Sequence, residues 1–241
     1  MIKRLLVLLI LAAIVAAGFG YVWLRFTALK PGELAEFQDG DLVFQTRNSS
    51  QALPIIIATQ SLYTHVGIVK QVAKFGPLIV EATNPVRETP MDEWLRQGIG
   101  SRVTVKRMRG MTSATATRIL EAARPYYGKP DDSLFRFDNE NIYGSELVFA
   151  AYQAGARVNL GRVQRVMELN LDNFVVRKLF ELRWQNHPLC QAPPTDNYTV
   201  CADLLLRQEV MTPASIATDP KLETSYDNYG WLLRLADAEK R

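Results

Sequence analysis

The longest apolar stretch comes first. Lys3 and Arg4 precede an unbroken apolar run from Leu5 to about Leu24, which Arg25 closes. A run of about 20 residues is long enough to cross a bilayer as a helix. Tyr21 and Trp23 fall where an interfacial aromatic belt would lie. The competing reading is a cleaved signal peptide, with Val15-Ala16-Ala17 as the cleavage site. The length of the run favours an uncleaved anchor over residues 1–26. Lys3 and Arg4 put the amino end on the cytoplasmic side. Either reading exports the rest of the chain. The expected location is therefore the cell envelope: anchored in the inner membrane with the domain in the periplasm, or secreted after cleavage.

A tether over 27–37 leads to a domain over 38–241. Gly40-Asp41 marks a turn before the strand Leu42-Val43-Phe44-Gln45. Ile55 to Ala58 reads as a short helix or a buried strand, and periodicity does not choose between them. Val66–Val69 and Leu78–Glu81 predict paired strands around a turn at Phe75-Gly76-Pro77. Thr89-Pro90 opens a helix carrying Trp94 and Leu95, since proline suits a first helical position. Arg102 to Met108 alternates polar and apolar, as a half-buried strand does. A helix from Thr112 to about Tyr127 turns Ile119 and Leu120 inward and stops at Gly128 and Pro130. A second runs from Ser145 to Ala154, with Gly155 as its stop. Leu171 to Trp184 forms a third, amphipathic one, and Thr212-Pro213 opens a last short turn. Strands come first and helices later, with few alternations. The expected class is α+β, a mostly antiparallel sheet with helices packed against it.

Composition narrows the chemistry. The chain has 241 residues and a formal charge of +3. Beyond the amino end that is one domain with room for a full core. The charge is too small and scattered for nucleic acid. No glycine-rich phosphate loop and no zinc-type Cys/His spacing occurs, so no metal or organic cofactor is expected. With two histidines, imidazole chemistry must use His65 or His187. Cys190 and Cys201 flank a polar, proline-rich loop. In an exported chain they are candidates for a disulfide, worth about 3 kcal/mol for so short a loop. The alternative is two buried thiols.

His65 starts a strand among small residues, with Gly67 on the same face two positions on. Gly67 leaves space for another element to approach the imidazole, as a general base requires. The competing reading is a half-buried strand histidine. Glu81 ends an apolar strand, where a carboxylate is costly unless paired. If the two strands are antiparallel neighbours, it lies beside His65 and holds its tautomer. Otherwise it is a solvated strand-end glutamate. Gly144 begins a helix. Read alone, it is an N-cap glycine before Ser145-Glu146. Ser145 is a substitute nucleophile only in principle, because one residue along a helix rotates the side chain by about 100°. A second pairing, Cys201 with His187, lacks an orienting residue and competes with Cys190.

Several segments in order resemble the YiiX-like family of circularly permuted papain-fold proteins, relatives of the NlpC-type cell-wall hydrolases. They are Gly40 to Gln45, Tyr63-Thr64-His65-Val66-Gly67, Val80-Glu81-Ala82, Tyr127-Gly128-Lys129-Pro130, Tyr143 to Val148, and Val210-Met211-Thr212-Pro213. The resemblance implies a permuted papain-like fold with His65 as base, Glu81 orienting it, and position 144 as the nucleophile. Tyr143 then shapes the pocket, and Asp41 is structural. Active members carry cysteine where this chain has Gly144. Glycine cannot attack a carbonyl, so the chain as given is expected to be inactive. A deliberate inactivating substitution or natural loss would account for it, and intact His65 and Glu81 motifs favour the first. The resemblance and compartment together imply a cysteine amidase or peptidase acting on cell-wall peptides. A lipid ester or amide hydrolase or acyltransferase comes second. A catalytically dead module that binds a peptide or acyl chain is the remaining alternative.

Overall fold

The computed structural model describes residues 6, 10–15, 18, 37–137 and 140–230. The expected anchor and tether lie almost wholly outside these. Residues 10–15 are helical and exposed. Among the described residues no helix is long and apolar enough to cross a membrane.

The frame is a six-stranded antiparallel sheet. Its strands are β1 (Leu42–Gln45), β2 (His65–Val72), β3 (Gly76–Glu81), β4 (Arg87–Pro90), β5 (Thr104–Met108) and β8 (Leu222–Asp227), in spatial order β4-β3-β2-β1-β5-β8. Alternation along the central strands sorts two cores, because successive side chains point to opposite faces. Leu42, Phe44, Val66, Ile68 and Val80 face one side. There they meet α3 (Ser113–Ala123) and α4 (Gly144–Ala156). Val43, Val69, Ile79 and Val105 face the other, under Trp94 of α2 (Met91–Arg96). Phe37, which the sequence places at the end of the tether, is buried in this second core. Asp41 is structural: its carboxylate is fully buried and accepts two hydrogen bonds from Arg107, at 2.7 and 2.8 Å.

The ambiguous Ile55 segment is a helix, α1 (Ala52–Thr59). Thr89 and Pro90 do not open α2. They belong to β4, paired with Ile79 and Leu78, and Pro90 has the extended ψ of a cap, 138°. Gly155 does not stop α4. The helix runs on to Ala156, and Arg157 closes it in the left-handed region at φ 57°. Gly155 has a different role. A Cβ there would lie 2.5 Å from the backbone of Ile119, so its hydrogen lets α3 and α4 touch backbone to backbone.

The rest of the chain forms a helical annex: α5 (Phe174–Arg183), α6 (Tyr198–Arg207) and α7 (Pro213–Ala217), with a two-stranded ribbon of β6 (Gln164–Arg165) and β7 (Glu209–Val210). Cys190 and Cys201 are joined by a disulfide, with Cα atoms 5.4 Å apart. Together with Leu205, Phe180 and Trp184 they form a small third core.

Candidate active site

Three elements converge at one end of the sheet. β2 begins at His65, opposite Gln45, the last residue of β1. The ladder goes no further, so the imidazole stands at the rim. Glu81 ends β3, and the space left by Gly67 is filled by the Ile79 side chain and the Cβ of Glu81. The small residue thus admits the neighbouring strand's carboxylate, rather than a separate element as the sequence suggested. His65 Nε2 and Glu81 Oε2 are 2.6 Å apart. The third element is α4, whose first residue is Gly144 and whose cap, Tyr143, is in extended conformation. A Cβ on Gly144 would stand 3.5 Å from both Nδ1 and Cε1 of His65 and 3.0 Å from the Val66 carbonyl oxygen.

This arrangement assigns the imidazole's two nitrogens. Nε2–H donates to Glu81, which leaves Nδ1 to face position 144. A thiol there would share a proton with Nδ1. It would also sit on the first turn of a 13-residue helix, where the peptide dipoles favour an anion. The first N–H groups of that turn have no acceptor within the helix. They are therefore placed to bind the oxyanion of a tetrahedral adduct.

Glu81 is held ionised. Burial pushes its pKa up, but the hydrogen bond and charge of His65, the Thr89 hydroxyl and Arg47 outweigh this and keep it below the usual carboxylate range. Thr89 Oγ1 donates to Oε1 at 2.6 Å, so both carboxylate oxygens are engaged. Sequence reasoning missed Thr89, which it read as a helix start. It also missed Arg47, whose Nη1 donates to Glu81 Oε2 at 3.2 Å and whose Nη2 donates to Gln97 at 2.6 Å. No periodicity marks an arginine just past a strand. Its role depends on the β3 carboxylate that folding brings alongside.

His65, Gly144, Tyr143 and Ser145 line a cleft of about 360 Å³, together with Arg47 and Asp131. Burial raises the Asp131 carboxyl above its ordinary pKa, against the pull of His65 and Arg47. Tyr143 is buried, and its hydroxyl accepts a hydrogen bond from Met211 N at 2.8 Å, tying α4 to the segment before α7. Ser145 is 2 % exposed. The second candidate pair does not assemble. Cys201 is taken by Cys190, and His187 Nε2 lies 2.9 Å from Gln208 Oε1.

The histidine and its carboxylate precede, along the chain, the helix whose first residue they face. The model of the permuted papain-like amidase family, YaeF/YiiX, C92, matches residues 36–226, and the chain belongs to this family. Among its relatives is the uncharacterized protein YiiX of Escherichia coli (strain K12). It is 29% identical over 188 residues, spanning 78% of this chain and 85% of that protein. The crystal structure of metalloprotein yiiX from Escherichia coli O157:H7 matches with a TM-score of 0.70 at 28% identity. The match covers 80% of this chain and 98% of that one. Among the described residues here, no group of three or more His, Cys, Asp or Glu is gathered to hold a metal. These residues do not fit a metal centre, and no step is routed through one.

Proposed function

We propose that the chain is the scaffold of an exported, membrane-tethered cysteine amidase whose nucleophile position is occupied by Gly144. One observation carries the reading: His65 Nδ1 faces the absent side chain while Nε2 is held by a buried, ionised Glu81. With a thiol at position 144, His65 takes its proton. The sulfur then attacks the substrate carbonyl, and a C–S bond forms as the C–N bond breaks. The imidazolium passes its proton to the leaving amine. Water, deprotonated by His65, next attacks the thioester, which releases the acid and restores the thiol. With Gly144 in place the cleft holds substrate and cleaves nothing. The apolar run over residues 5–24 supports the tether, and the disulfide supports an oxidising compartment. In that compartment, cell-wall peptides and lipid esters or amides both offer a suitable carbonyl.

Iodoacetamide labelling tests this. The chain's two cysteines are joined to each other, so only the thiol of a Gly144→Cys protein reacts. An ordinary thiol is a few per cent ionised at neutral pH, while an imidazole-paired one is ionised almost fully. Removing His65 in that protein should therefore slow labelling by about 30-fold at pH 7. Labelling that ignores His65→Ala would refute the assignment of the base.

A further inference from the structure

The tether meets the domain at the pole of the sheet far from the cleft. Phe37 is buried in the second core, its ring edge-on to Tyr226. Its carbonyl accepts a hydrogen bond from the Gln71 side chain. Asp39 Oδ1 accepts from Gln71 N at 2.6 Å, and Gly40 N donates to the Val69 carbonyl at 2.9 Å. Residues 37–40 therefore run beside the last part of β2, next to the turn into β3. His65 begins that same strand. It lies about 20 Å back along β2 from Gln71, at a rise of about 3.3 Å per residue.

The β2–β3 turn carries Lys74 and Phe75 at its tip, both exposed. Phe75 is 81 % exposed, more than any other large apolar side chain among the described residues. Phe75 N donates to the Val72 carbonyl at 3.0 Å, and Gly76 follows in the left-handed region at φ 74°. The ring thus stands on a tight turn and projects from the domain. A single exposed phenylalanine is ordinary on a soluble surface. This one sits where a short tether brings in an apolar run of bilayer length, residues 5–24. A lysine beside an aromatic ring suits an anionic bilayer surface, the cation meeting headgroups and the ring the acyl boundary.

We propose that the β2–β3 turn rests on the bilayer, with Phe75 at the acyl boundary and Lys74 on anionic headgroups, so that the cleft opens about 20 Å farther out, on the aqueous side. The inference rests on the membrane-tethered reading. A tether alone leaves the domain free to roll, and lipid contact by the turn fixes which pole faces down. The competing face is the annex, where Phe174 and Leu182 are also exposed. α5 lies against α1, which follows the cleft end of β1. An annex-down domain would therefore carry the tether's point of entry away from the lipid. With the turn down, that point and the projecting ring share one pole, and substrate reaches position 144 from the aqueous side.

Spin labelling of the full chain in vesicles of equimolar phosphatidylcholine and phosphatidylglycerol tests this. The two cysteines are joined to each other, so a nitroxide reacts only with an introduced thiol. At Ala73→Cys, beside the tip, the label should collide more with oxygen, which concentrates in lipid, than with a water-soluble nickel chelate. Phe75→Asp in the same protein should reverse that ratio, and vesicles without phosphatidylglycerol should lower it. At Ser50→Cys, beyond the cleft end of β1, and at Phe174→Cys on the annex, nickel should dominate. Carbonate washing reads the tether by itself. A chain that washes out of the vesicles would overturn the tether and this inference with it. A chain that stays, with nickel dominant at Ala73→Cys, would keep the tether and overturn the docked turn. Oxygen dominant at Phe174→Cys would overturn the orientation and place the annex on the bilayer.

Discussion

Gly155→Ala sets helix propensity against packing. Alanine is the better helix former by about 1 kcal/mol, so on local grounds the change stabilises α4. The added Cβ would lie 2.5 Å from Ile119 Cα and N and 2.6 Å from the Arg118 carbonyl carbon. Carbon atoms in good contact sit about 3.5–4.0 Å apart. The obstacle is backbone, which cannot swing aside as a side chain can. α3 and α4 must therefore part by about 1 Å along an interface that includes Ile119, Ala123, Val148 and Tyr152, all fully buried. Overpacking of this kind costs about 1–3 kcal/mol, and the upper end applies where two helices must move as bodies. Net of propensity, about 2 kcal/mol of stability is lost. For a chain of 241 residues, that is a fall in Tm of about 4–8 °C, read by circular dichroism at 222 nm. A variant melting at or above the parent's temperature would refute the close-contact reading. Gly155 would then be an ordinary helical glycine.

Glu81 links the site to pH. Its folded pKa is depressed, so the stability it contributes is complete above its unfolded value, near 4.5, and fades as pH falls through the lower folded value. Urea unfolding at pH 5.5 and pH 3 should show a smaller acid loss for Glu81→Gln than for the parent; equal losses would count against the buried ion pair. In the Gly144→Cys protein the same change should slow thiol labelling at least tenfold, because the imidazole loses its orienting partner. Reduction of Cys190–Cys201 should cost about 3 kcal/mol, from the short loop it closes. It should also loosen α5 and α6 around their small shared core, so a reduced protein that keeps its melting temperature would argue against that coupling.

The fold and dyad were legible where local pattern and tertiary role coincide. The β2–β3 pair reads directly from apolar runs around a glycine turn, and its register brings His65 and Glu81 together. What escaped notice depends on distance along the chain. β8, with the sequence Leu-Glu-Thr-Ser-Tyr-Asp, is an edge strand exposed along most of its length, so it lacks the apolar alternation that marks a strand. α6 hides behind a proline-rich loop. Arg47 and Thr89 look like a solvated cation and a helix cap until Glu81 lies between them. Gly155 was misread because a glycine near a helix end suggests a stop by the same lack of side chain that here serves interhelical contact.

A polypeptide delivered amino end first brings His65 and Glu81 out together, and they can pair once β2 and β3 meet. Position 144 follows far behind and reaches them only when α4 docks across the sheet. Such non-local closure is the slow part of folding. A chain still emerging from the ribosome would therefore carry the paired histidine and carboxylate with nothing beside them. With a thiol at position 144, reactivity would begin only after the bulk of the domain had been made, and a stalled or truncated product would be harmless to nearby carbonyl bonds.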